Sequence, residues 1–79
     1  MEFSYEQLEI YVRQGRELHF FYHDKEYSLS HNKDGWYLTE FNNPVFQTSK
    51  TGEDLILYGR IEGKSIKEIW DDVIIDVLF

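Results

Sequence analysis

The sequence has no cysteine, one proline and no long apolar run. Without cysteine it can form neither a disulfide nor a thiolate zinc site. Without about 18 consecutive apolar residues, no membrane-spanning helix is expected. The opening Met1-Glu2-Phe3-Ser4-Tyr5-Glu6 is acidic. It lacks the basic flank and apolar stretch of a signal peptide, so a cytoplasmic location is expected. Basic side chains are scarce: 8 Lys and Arg stand against 15 Asp and Glu, a net charge of −7. Direct nucleic-acid binding draws its affinity from Lys and Arg on phosphates, so this balance argues against it. The same balance argues against an anionic membrane surface.

What the chain has in quantity is aromatics: two Trp, six Tyr and six Phe in 79 residues. A chain of this length forms one domain, residues 1–79. Single cores below about 70–80 residues are usually marginal without a metal, disulfides or a partner. Aromatic side chains bury the most area each. A dense aromatic core, open to help from self-association, is the expected substitute for the missing staples.

The first element reads as a helix that begins at residue 4 or 5 and ends near 14. Ser4-x-x-Gln7 has capping-box spacing, and Phe3 stands before the cap with Leu8 at staple spacing. Tyr5, Leu8, Tyr11 and Val12 form its apolar stripe. Glu9 and Arg13 are an i,i+4 pair in the favourable order, and Gly15 is the stop. Three strand-like runs follow. A two-residue turn at Asp24-Lys25 pairs His23 with Glu26, Tyr22 with Tyr27, Phe20 with Leu29 and Leu18 with His31. This register puts Leu18, Phe20, Tyr22, Tyr27 and Leu29 on one face. Asn32-Lys33-Asp34-Gly35 is a second hairpin signal. A two- or four-residue loop there adds Trp36 and Leu38 to the inner face, whereas a bulged loop would turn Tyr37 and Phe41 inward.

Beyond Pro44, residues 45–48 read as a short extended piece. Residues 53–58 read as a short helix closed by Gly59, with a strand as the alternative. Ser65-x-x-Glu68 is a second capping box, and Ile66, Ile69, Trp70 and Val73 recur at helical spacing. The β-branched tail 74–79 reads as a last strand. The fold class is therefore α+β: a three-stranded antiparallel meander plus a C-terminal strand, with an N-terminal helix and two short helices. The order is α-β-β-β-α-α-β.

No constellation points to catalysis. His19 and His23 share a strand face but stand about 13 Å apart, too far to bind one metal, and His31 lies on the other face. A metal site would need Asp24 or Glu26 recruited to it. There is no nucleophile elbow, and Asp71 and Asp72 point to different helix faces. Gly59 precedes Gly63-Lys64-Ser65 by one residue too few for a phosphate loop. No enzyme activity, cofactor, metal or small-molecule substrate is expected.

The outer face of the hairpins is richer, with His19, Phe21, His23, Ser28, Ser30, Tyr37, Thr39 and Phe41. Either a late helix or the tail covers it as a second core layer, or it is a contact surface. On the second reading, Phe21, Tyr37, Phe41, His19 and His23 bind a protein partner or a second copy of the chain. The alternative reading is an acidic inhibitor or nucleic-acid mimic that docks on a basic protein surface. It would use Glu68, Asp71, Asp72 and Asp76, together with Glu53, Asp54 and Glu62.

Gly15 through Phe20-x-Tyr22, then Tyr27, Gly35-Trp36 and Gly63-Lys64-Ser65-Ile66-Lys67-Glu68-Ile69-Trp70 form a pattern of core and turn residues over most of the chain. In this it resembles small uncharacterised single-domain proteins of Gram-positive bacteria and their phages. The resemblance implies no activity; it suggests a bacterial or prophage cytoplasmic accessory protein and favours a small inhibitor that binds a host or competitor protein. It brings no catalytic residues with it.

Overall fold

A computed structural model describes residues 3–79; Met1 and Glu2, the start of the acidic opening segment, lie outside them. Helix α1 spans Tyr5–Arg13. The Ser4 Oγ accepts from the Gln7 backbone N–H at 3.1 Å, satisfying one of the free donors of the first turn. At the other end Gly15 takes φ +79°. Its N–H donates to the Val12 carbonyl, and the Arg16 N–H donates to the Tyr11 carbonyl. That pair of bonds is a Schellman cap, which favours glycine at the left-handed position. Arg13 does not close on Glu9 as the i,i+4 spacing predicts. Its Nε–H donates to Glu53 on the neighbouring helix at 2.7 Å.

Strands β1 (Leu18–Tyr22), β2 (Lys25–Asn32) and β3 (Gly35–Glu40) form the meander. The first hairpin departs from the expected register by two residues: Phe20 faces Tyr27, and Tyr22 faces Lys25. The turn is His23-Asp24, with φ values of 50° and 62°. A two-residue hairpin loop of this type needs positive φ at both central residues. His and Asp tolerate that conformation better than Lys. A shift of two preserves the side-chain alternation, so the inner face keeps the expected residues. The second hairpin pairs Asn32 with Gly35 around Lys33-Asp34, and this loop turns Trp36 and Leu38 inward.

Residues 45–48 are expected to be extended, and the strand there is β4 (Phe46–Ser49), which joins the free edge of β3. Helix α2 (Gly52–Tyr58) follows, capped by Thr51, whose Oγ1 accepts from the Asp54 N–H. A two-stranded ribbon, β5 (Arg60–Ile61) and β6 (Lys64–Ser65), comes next. Helix α3 (Ile66–Ile69) carries the full Ser65/Glu68 capping box and runs into a 3₁₀ turn, Trp70–Asp72. The last strand, β7 (Ile74–Leu78), pairs antiparallel with β1. The sheet order is β4-β3-β2-β1-β7. The class is α+β in the expected order, with β4 and the ribbon added.

All three helices contribute to one core against the inner sheet face. Leu18, Phe20, Tyr22, Tyr27, Leu29, Trp36 and Leu38 pack with Leu8, Val12, Leu55, Ile56, Ile66, Ile69, Trp70 and Val73. Trp70 is buried, and its indole N–H donates to the Phe3 carbonyl at 2.9 Å. At one end of the sheet, the Gln47 side chain accepts from the Arg60 N–H and donates to the Arg60 carbonyl, which ties β4 to the ribbon. Among the described residues, no helix is long and apolar enough to cross a membrane.

Candidate functional site

With every helix on the inner side, neither a late helix nor the tail covers the outer sheet face; the tail lies in the plane of the sheet as β7. The exposures show how open the face is: 36% for Phe21, 52% for Phe46 and 65% for Ile74. Phe21, His19 and Tyr37 stand on it. Phe41 lies just past the end of β3, where its N–H donates to the Glu26 carbonyl and its ring is exposed at the rim. His23 is in the first turn, with its ring on Glu62 at 3.0 Å, and is not part of the face.

The structure adds residues the sequence did not point to. Phe46, from β4, meets Tyr37 edge-on with ring centroids 5.4 Å apart. Phe79 meets His19 edge-on at 5.2 Å. Ile74 and Val77 pair with Phe21 and His19 across β7. Between the aromatic groups lies a hydroxyl contact, Ser28 Oγ to Thr39 Oγ1, at 2.6 Å. A cleft of about 280 Å³ opens beside it, bordered by His19, Ser28, Thr39, Phe41 and Asn42. That volume falls just below the roughly 300–1,000 Å³ of pockets that enclose a drug-sized ligand.

A β-bulge sets the charge on this face. His19 pairs with Val77 and Phe20 with Ile75, so Asp76 is the extra residue on β7. Bulges re-aim side chains, and here Asp76 comes to the outer side. Ligand atoms of His19, Glu26 and Asp76 all lie within 4.8 Å of one another. A hydrogen bond shared with Asp76, then desolvation and the Asp76 charge, raise the Glu26 carboxyl above its usual range, while His19 opposes the shift. No Lys or Arg occupies an outward-facing position in the register of the sheet.

The expected acidic patch is not one surface. Asp76 belongs to the outer face, whereas Glu68 is bound into the α3 cap, accepting from the Ser65 N–H at 2.8 Å. Asp71 and Asp72 are exposed on the 3₁₀ turn that follows. Glu53 is held by Arg13 and Glu62 by His23. The third histidine, His31, lies on the side opposite His19, as expected. It donates from Nε2 to the Gly15 carbonyl at 2.9 Å and lies against Trp36. Compared with protein-family models, with curated proteins and with solved structures, the chain has no match in any of the three.

Proposed function

We propose that this chain is a non-enzymatic protein-binding module that docks a partner on its outer sheet face. The observation that carries the reading is an aromatic face left bare by all three helices, on which, among the described residues, the acidic groups Glu26 and Asp76 stand beside His19 with no outward-facing Lys or Arg in the sheet register. Contiguous exposed apolar surface tends to mark interaction sites. Aromatic side chains are enriched at the anchoring centres of interfaces, and the cleft beside Thr39 has the size to take one side chain.

The charge selects the kind of partner. Two copies set face to face would bring two Glu26/Asp76 pairs together and join two chains of net charge −7. Like charges across an interface cost several kcal/mol. A partner that presents apolar side chains together with Lys or Arg fits better. The mimic reading is the weaker one, because its carboxylates are dispersed and several are held by neighbours within the fold.

The test is selection of displayed random peptides on the wild-type chain, counter-selected on a Phe21→Ser/Phe46→Ser variant. Sequences enriched in Lys or Arg beside aromatic or aliphatic residues are expected, and they should lose binding to the variant. Peptides that bind both proteins equally would remove the proposal. A wild-type chain that sediments as a dimer, with a monomeric variant, would replace the foreign partner by a second copy.

A further inference from the structure

We propose that His19, Glu26 and Asp76 form a binding site for one divalent transition-metal cation of the zinc class. The proposal does not rest on the docking reading, because it concerns the isolated chain. Three neighbouring strands supply the ligands: β1 gives His19, β2 gives Glu26 and the β7 bulge gives Asp76. A tetrahedral zinc site with bonds of about 2.0–2.2 Å holds its ligand atoms roughly 3.3–3.5 Å apart. The donor atoms already lie within 4.8 Å of one another, so binding needs only a small further approach of the three side chains. The scaffold is a paired sheet rather than a loop, so the positions are fixed before binding.

The local charge points the same way. Two carboxylates lie close together on a face whose described strand positions carry no outward Lys or Arg. Among the described residues, the ion pairs are Arg13–Glu53, His23–Glu62 and His31–Glu17, and neither Glu26 nor Asp76 belongs to one. A cation between the two carboxylates supplies the missing counter-charge. The imidazole decides its class. An all-oxygen set suits magnesium or calcium, whereas a histidine nitrogen with two carboxylates suits zinc and its neighbours. Three protein ligands leave a fourth position for water. His23, bound to Glu62 in the turn, takes no part.

Titration of Zn²⁺ into the intact chain near pH 7, followed by calorimetry and by the histidine ring resonances, tests the site. One ion per chain is expected. The His19 ring signals should move while those of His23 and His31 stay in place, and the melting temperature should rise with Zn²⁺ concentration. Glu26→Gln and Asp76→Asn should each weaken binding by about tenfold or more, at least the loss typical of changes one shell further out. Absence of binding at millimolar Zn²⁺ would overturn the proposal. Movement of the His23 or His31 ring with His19 unmoved would overturn it too, as would variants that bind like the wild type. The ring resonances of the wild type decide the matter even if a variant fails to fold.

Discussion

Trp70 and Gly52 mark the two kinds of residue that hold this core together. Trp70 is buried between Phe3 and Phe20 and satisfies its indole N–H on the Phe3 carbonyl. Trp70→Ala is expected to cost about 3–5 kcal/mol by urea denaturation, and Trp70→Phe less, since most of the volume is kept. Trp70 was readable in the sequence because Ile66, Ile69, Trp70 and Val73 repeat at helical spacing. Gly52 was not. A Cβ there would stand 2.8 Å from the Val12 Cβ and 3.1 Å from the Trp36 ring. The constraint comes from the approach of α2 to α1 and to the sheet, which no local pattern encodes. Gly52→Ala should therefore destabilise the fold by about 1–3 kcal/mol, although alanine favours helices. The place of Asp76, which the sequence offers only as part of an acidic patch, was hidden for a similar reason. Strict alternation along the tail does not predict the extra residue that turns it toward His19 and Glu26.

Turn and cap chemistry decide the individual elements, and sequence reading succeeds where that chemistry is strong. The α3 capping box was readable from Ser65-x-x-Glu68 and is present in full. The first hairpin was readable as a hairpin, but its turn lies one residue earlier than expected, which shifts the pairing register by two. Hydrophobic alternation is blind to a shift of two, so only the tolerance of His23 and Asp24 for positive φ fixes the register. The α3 cap also carries a pH dependence. The Ser65 backbone N–H, then the Ser65 hydroxyl, and more weakly the charges of Arg60 and Lys64, hold the Glu68 carboxyl below its usual 4.5. A carboxyl depressed in the folded state contributes stability above its unfolded value, and that contribution fades as the pH falls through the folded value. The stability difference between wild type and Glu68→Gln should thus be present at neutral pH and shrink once the pH drops below 4.5. Parallel urea titrations of the two proteins check this. Glutamine retains the capping geometry, so the difference isolates the charge.

For the molecule as a whole, the decisive property is that its two sheet faces differ. Phe20 and Phe21 are neighbours in sequence, yet one is fully buried and the other exposed. Phe20→Ala should cost about 3–5 kcal/mol. Phe21→Ser and Phe46→Ser, at 36% and 52% exposure, should each cost about 1 kcal/mol or less, the scale of a cross-strand side-chain pair. Equilibrium denaturation of the three variants tests that contrast, and a large loss from Phe21→Ser would mean the outer face is load-carrying core. The alternating pattern of the meander made the inner face readable. The five-strand order was not, because β4 offers little: Phe46, Gln47 and Thr48 are all exposed and carry no alternation. The two edges of that sheet also differ. Gln47 fastens the β4 edge to the Arg60 backbone, whereas β7 is paired only on its β1 side. Strand-by-strand growth of an assembly needs two free edges on every copy. With β4 only four residues long and drawn toward the ribbon by the Gln47 side chain, the apolar β7 is the edge better suited to pair with a second copy, and β7-to-β7 pairing alone closes at two chains.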